Sequence, residues 1–179
     1  MNSSNDSLAM QRITKLVDEN SFMEIGSLVT ARNTDFNLAD TDTPSDGVIT
    51  GHGLVDGNLV FVYSQNAAVL NGTIGEMHAK EVAASGVVPQ ISAIFGSCGG
   101  GLAVVPALSD FAFMESKGKM FINSPNAIEG NRIEKCDTSS AEFQSEKNGC
   151  IDAVGTEDEI IAEICELVTV LPLNNEGDV

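Results

Sequence analysis

The run Gly96-Ser97-Cys98-Gly99-Gly100-Gly101 places three consecutive glycines and a thiol between two apolar stretches, Val87–Phe95 and Leu102–Phe113. Glycine permits a sharp turn, and without a Cβ it lets a ligand come close to the backbone. If a helix starts at such a turn, its first N–H groups have no intrahelical partner and can face developing negative charge. Two N–H groups around a thioester oxygen make an oxyanion hole, which stabilises an enolate. The plainer reading is that the glycines simply let a helix pack close to a strand, and spacing alone favours it. Nucleotide readings fail: there is no GxxxxGK[ST], and Gly51-His52-Gly53 followed by Gly57 breaks the GxGxxG spacing.

Other reactive side chains are few. Cys98 is a candidate nucleophile, set against a role as a small buried apolar residue. The chain has two histidines and no convincing Ser/His/Asp or Cys/His set. His78 follows Gly75 at an expected helix start, where a structural hydrogen bond is the simpler role, and His52 reads as a hairpin surface residue. Arg12, Lys15 and Lys80 are candidates to meet anionic phosphates, with solvated helix charges as the alternative. Asp110 is expected to cap or pair, and Glu157 with Asp158 to complement a helix N-terminus rather than to form an acid/base pair. The acidic stretch Asn33–Gly47 reads as a solvated loop; its spacing lacks the EF-hand pattern.

The elements that must position these residues follow from periodicity. A helix is expected over residues 7–17, with Leu8, Ile13, Leu16 and Val17 on one face and Asp6 or Ser7 as cap. Phe22–Val29 reads as a strand. Gly47–Leu54 and Leu59–Gln65 form a hairpin through Asp56-Gly57-Asn58. A helix is expected near Glu76–Ala84, a buried strand over Val87–Phe95, and a helix or strand-like segment over Leu102–Phe113 with Pro106 inside it. Met120–Asn123 reads as a short strand, Ser124-Pro125-Asn126 as a turn, and Asp158–Val170 as a helix stopped by Pro172. Strands and helices alternating around glycine turns give an α/β fold.

The 179 residues suffice for a domain with its own core. A formal charge of −17, from 26 acids and 9 bases, speaks against nucleic acid and anionic membranes. It leaves room for a small anion held by a local basic patch or helix N-terminus. None of the four cysteines forms a CxxC pair, so no zinc knuckle is indicated, and reduced thiols in a cytoplasmic setting are expected. No apolar run approaches the ~18–20 residues of a membrane span.

Three motifs stand in order along the chain: Ser85-Gly86-Val87-Val88-Pro89-Gln90-Ile91, Gly96-x-Cys98-x-Gly100-Gly101 and Pro106-Ala107-Leu108-Ser109-Asp110-Phe111. Arg12-Ile13, Leu16, Asp18, Ser21-Phe22 and Glu24 join them, as do Gly47–Gly53, Gly72, Gly75 and His78-Ala79-Lys80. With this set the chain resembles the carboxyltransferase subunits of propionyl-CoA and related acyl-CoA carboxylases. It is similar also to the α subunits of glutaconyl-CoA-type decarboxylases. The resemblance implies a ClpP/crotonase-like fold, incomplete here, whose N-terminal half holds an acyl-CoA and stabilises its α-carbon enolate. By the same likeness Gly100 and Gly101 are the catalytic candidates, and Cys98, Gly99, Gly72, Gly75, His78, Arg12 and Lys80 the substrate-binding ones. It implies biotin borne on a carrier protein as carboxyl donor, a C-terminal-type carboxyltransferase chain as partner, and a homo-oligomer, trimer or hexamer.

Two departures stand out. The family carries several tens of residues between the segments that here meet at Ala79–Lys80, including a turn that supplies a second oxyanion donor. Where the family often has a histidine and then Ser-Gly, this chain has Gln144 and Asn148-Gly149, with Asp152 matching the acid that follows. Residues 1–173 are therefore expected to form the acyl-CoA domain and 174–179 an acidic tail. A shortened non-catalytic paralogue, serving in assembly or regulation, and a decarboxylase α-type subunit are the alternatives.

Overall fold

The computed structural model describes residues 7–26, 47–66, 88–127 and 136–172. It divides into two compact units, Met1–His78 with Ile164–Val179, and Ala79–Glu163.

In the first unit, helix α1 spans Leu8–Leu16. Ser7 caps it, its Oγ accepting the Met10 N–H at 3.2 Å, and the apolar spacing buries Ala9 and Ile13. Strands β1 (Met23–Ile25), β2 (Val48–Val55) and β3 (Asn58–Gln65) form an antiparallel sheet in that order. The β2–β3 turn has two central residues, Asp56 and Gly57, at φ +50° and +78°. That mirror-image turn matches the twist of the strands it joins. Asp18 locks it from outside: its two carboxylate oxygens accept the Asp56 and Gly57 N–H groups at 3.0 and 2.9 Å. Gly51 permits the close approach of β1, since a Cβ there would lie 2.5 Å from the Met23 carbonyl oxygen. The core gathers Ala9, Ile13, Val17, Ile49 and Val55.

In the second unit, β4 (Ile91–Ile94), β6 (Phe111–Glu115) and β8 (Ala153–Gly155) form a parallel sheet in the order β4-β6-β8. A smaller parallel pair joins β5 (Ser97–Gly99) to β7 (Lys119–Phe121). Parallel neighbours need crossovers. The one between β4 and β6 contains β5, a 3-10 turn over Gly100–Ala103 and helix α2 over Val104–Leu108. A second 3-10 turn (Pro125–Ala127) and helix α3 (Ala141–Glu146) lie between β7 and β8. The core is Ile94, Cys98, Ala103, Ala112, Met114, Met120, Ala141 and Ile151. Helix α4 (Glu157–Val170) starts in this unit, and its residues from Ile164 belong to the first. Thr156 and Glu159 form a reciprocal cap at its start: the Thr156 N–H donates to Glu159 Oε2 at 2.8 Å, and the Glu159 N–H to Thr156 Oγ1 at 3.3 Å. The Thr156 N–H, and then the Thr156 Oγ1–H, which also donates to Oε2 at 2.8 Å, hold the Glu159 carboxyl below its usual range.

Helix α1, the β2–β3 hairpin and α4 stand where periodicity puts them. Four expectations need correction. The Gly96–Gly101 turn is in fact a short strand running into a 3-10 turn. Leu102–Phe113 is no single segment: it divides into the end of that turn, α2 and the start of β6. Ser109 ends α2, donating from both its N–H and Oγ to the Pro106 carbonyl at 3.3 and 2.8 Å. Pro106 lies in the first turn of α2, where a missing N–H costs nothing. Among described residues the Val87–Phe95 strand is confined to Ile91–Ile94, and Phe22–Val29 to Met23–Ile25. The expected Glu76–Ala84 helix, nearly all of the acidic loop and the 174–179 tail lie outside the described residues.

Candidate functional site: the glycine turn

Strand β5 delivers the glycines. Ser97, Cys98 and Gly99 pair with Lys119, Met120 and Phe121, and the Lys119 N–H donates to the Gly96 carbonyl at 2.9 Å. Gly99 is extended, at φ −120° and ψ 156°, and Gly100 then turns to φ +63°. The two glycines are required for different reasons. A Cβ on Gly99 would lie 2.8 and 2.9 Å from two atoms of the Phe121 ring, so Gly99 is where β7 packs close. A Cβ on Gly100 would meet nothing within 4 Å, but its left-handed backbone disfavours any side chain. Gly100 thus pairs a conformation suited to glycine with open space beside it. Gly101 is exposed. The N–H groups that open a helical turn lack intrahelical partners, and here they belong to the turn that starts at Gly100.

Cys98 is buried among Ile94, Ala103, Met114 and Met120. Burial pushes its thiol up to about 11, so at neutral pH it is not a thiolate and lacks the form in which cysteine attacks. What Cys98 offers a ligand is backbone.

Side-chain-to-backbone bonds hold the turn's surroundings. Asp110 Oδ2 accepts the Gln90 N–H at 2.8 Å, while the Asp110 and Phe111 N–H groups donate to the Gln90 carbonyl at 2.9 and 3.1 Å. This clasp joins the Pro89-Gln90 motif to the Ser109-Asp110-Phe111 motif. Asp152 Oδ2 accepts the Ala112 N–H at 2.8 Å and fixes β6 against the start of β8. Lys119 Nζ and the Ser139 Oγ and N–H all bond to the Asp137 carboxylate. Desolvation raises that carboxyl, yet the bonds from Lys119 and Ser139 together outweigh it and hold it below the usual range.

The structure brings together Cys98, Gly99, Gly100 and Gly101. Arg12 is half-buried on α1 in the first unit. Gly72, Gly75, His78 and Lys80 lie outside the described residues. His52 pairs edge-to-face with Phe61, ring centres 6.1 Å apart. Spacing did not single out Lys119, Asp137 or the bonding of Gln144. Their polar atoms are recruited by turns distant in sequence; Ser140, which caps α3 by accepting the Phe143 N–H at 3.3 Å, is the local signal from which that region could have been found. Among the described residues no cluster of side chains is arranged to hold a metal, and no helix is long and apolar enough to cross a membrane.

Comparison with known proteins agrees with this architecture. The carboxyl transferase domain model matches residues 2–84 and 79–179, two stretches that meet at the expected seam. The chain is 33% identical to the propionyl-CoA carboxylase beta chain of Roseobacter denitrificans, over 215 positions covering 93% of this chain and 42% of the relative. It is equally 33% identical to the methylmalonyl-CoA decarboxylase subunit alpha of Propionigenium modestum, with the same coverage. The transcarboxylase 12S structure, described as a hexamer assembly with hydrolysed methylmalonyl-coenzyme A bound, superposes with a TM-score of 0.85 at 29% identity. It is covered over 42% of its length by 96% of this chain. The chain thus spans about two fifths of the relatives it matches. The 215 aligned positions exceed its 179 residues, so those relatives carry residues that have no counterpart here. With a model matching both stretches and a crotonase-type α/β architecture shared with transcarboxylase 12S, the chain belongs to the carboxyl transferase domain family.

Proposed function

We propose that the chain is the acyl-CoA-binding half of a biotin-dependent carboxyltransferase, and that it stabilises a thioester enolate at the Gly99–Gly101 turn. The observation that carries this is Gly100, left-handed and bordered by open space, directly after a glycine pinned by Phe121. A thioester carbonyl fits such a space, since a Cβ would fill it. As the α-carbon loses its proton, negative charge moves to that oxygen, and the N–H groups of Gly100 and Gly101 are the donors for it. Carboxybiotin on a carrier protein would supply the carboxyl group, and the biotin freed of it would take up the α-proton, so no side-chain base would be demanded of this chain. Cys98, neutral and buried, serves the turn from beneath. By the family likeness Arg12, Lys80, Gly72, Gly75 and His78 are the further substrate-binding candidates. A C-terminal-type carboxyltransferase chain would complete the biotin side, within a cytoplasmic homo-oligomer, trimer or hexamer.

One observation favours a second reading. The family model matches in two separate stretches that overlap at residues 79–84, and the relatives carry residues with no counterpart here. Loss of one oxyanion donor is worth about 2.7–4 kcal/mol of barrier in comparable sites. A shortened non-catalytic paralogue fits that loss. A decarboxylase α-type subunit is the same site run in the opposite direction.

Calorimetric titration of acetyl-, propionyl- and malonyl-CoA into the chain, with its intact mass checked, separates the readings. Saturable thioester binding supports the first. No binding at the mass of 179 residues gives the lead to the non-catalytic paralogue.

A further inference from the structure

We infer that Gln144 is a positioning residue that sets the glycine turn through β7, an inference resting on the acyl-CoA reading above. Gln144 sits on α3 and is only 7% exposed. Its carboxamide is fully engaged. Nε2 donates to the Thr138 carbonyl at 2.7 Å and to the Met120 carbonyl at 3.3 Å, and Oε1 accepts from Asn148 Nδ2 at 2.8 Å. A buried amide so satisfied is oriented in one way only, because any rotation leaves a donor or acceptor unpaired.

The chain of contacts from Gln144 to the turn is short. Met120 is the central residue of β7, and its N–H donates to the Ser139 carbonyl at 2.9 Å. One side of β7 is therefore held by residues 138–144. Its other side is the ladder to β5, where Met120 stands opposite Cys98 and Phe121 opposite Gly99. The Phe121 ring lies against Gly99, at the distance where no Cβ fits. A shift of β7 would move that ring and the ladder together, and with them the peptide between Gly99 and Gly100. An oxyanion donor works only when it lies about 2.7–3.1 Å from the developing charge, so displacements of a fraction of an ångström matter. The effect of Gln144 is exerted through Met120 and Phe121, with no contact to substrate.

The test replaces Gln144 by methionine, which keeps length and removes all three bonds. Two readouts are followed. The first is the ratio of propionyl-CoA affinity to CoA affinity, which isolates the acyl carbonyl because CoA lacks one. The second is hydrogen exchange at the Cys98, Gly99 and Phe121 amides against the Val60 and Val62 amides of the β2–β3 hairpin. For Gln144→Met the ratio is expected to fall roughly fivefold to tenfold, about one hydrogen bond's worth, with CoA affinity unchanged. Exchange in β5 and β7 is expected to rise while the hairpin amides hold. Asn148→Ala, at an exposed residue, removes only the bond that orients Oε1. It should shift both readouts in the same direction with less amplitude, and it serves if Gln144→Met does not fold. An unchanged ratio with unchanged β5 and β7 exchange would overturn the inference, as would uniformly faster exchange, which marks simple core filling. If the unaltered chain fails to distinguish propionyl-CoA from CoA, the acyl-CoA reading falls, while the exchange data still decide whether Gln144 governs β5.

Discussion

Replacing Gly100 by alanine separates site from scaffold more sharply than any other single change. A Cβ there meets nothing within 4 Å, so no steric repacking follows. The backbone at φ +63° is the only cost. Holding a non-glycine residue in that region costs roughly 1–2 kcal/mol. For a chain of this size that lowers the melting temperature by about 2–8 °C, a small fraction of a typical stability of ~5–15 kcal/mol. The same methyl group occupies the space proposed for the thioester oxygen. A hydrogen bond to a neutral carbonyl oxygen is worth about 0.5–1.5 kcal/mol, so losing it together with the space for that oxygen should lower thioester affinity by roughly tenfold. Gly99→Ala is the counterpart. Its Cβ would meet the Phe121 ring at 2.8 Å, and overpacking of that kind costs about 1–3 kcal/mol. The assay is calorimetric titration with propionyl-CoA beside a thermal melt of each variant. Wild-type affinity in Gly100→Ala would refute the placement of the site. A melt lowered by more than about 10 °C would refute the reading of Gly100 as open.

Cys98 should resist iodoacetamide at pH 8 while exposed Cys136 reacts, as followed by peptide mass mapping. The raised thiol pKa also has a sign: its stabilising contribution is complete below the ordinary value of 9.0 and is lost as pH rises towards about 11, which a pH series of melts above 9 would show and Cys98→Ala should flatten. Asp137, held low by Lys119 and Ser139, contributes stability above its ordinary value of 3.8 that is lost as pH falls through its depressed folded pKa. Asp137→Asn should flatten the acid limb of the stability curve by lowering stability at pH 7, where the carboxylate's contribution is complete, while leaving it little changed at the acid end. Asp18→Asn should lower stability by about 1–3 kcal/mol in urea melts, because two backbone N–H groups in the hairpin turn lose a charged acceptor.

Much of the scaffold was legible in the sequence because its signals are local. Asp56-Gly57 announces a two-residue turn, and Ser7 with the spacing of Ile13, Leu16 and Val17 announces α1, although Leu8, expected on the same face, is exposed and Ala9 is buried instead. The elements missed include α3, β5, β6 and β8, of six, three, five and three residues, too short for periodicity to mark. Leu102–Phe113 misled because an unbroken apolar run carries no sign of its break. The break comes from Ser109 closing α2 and from Asp110 bonding Gln90, twenty residues earlier. The glycine turn was visible as a motif, but the different duties of Gly99 and Gly100 were not. One depends on a ring delivered by β7, the other on a dihedral angle. Asp110 and Asp152 matched family positions in sequence, and the structure shows what each binds: a backbone N–H rather than a substrate.

The most direct test of the central claim is a titration of the uniformly nitrogen-15-labelled chain with propionyl-CoA, reading the amide resonances of Gly99, Gly100 and Gly101. The account predicts saturable shifts at these three amides, with Gly100 and Gly101 moving markedly less when CoA alone is added. Resonances that stay fixed at all three while the ligand binds elsewhere, or no response to any thioester, would contradict it.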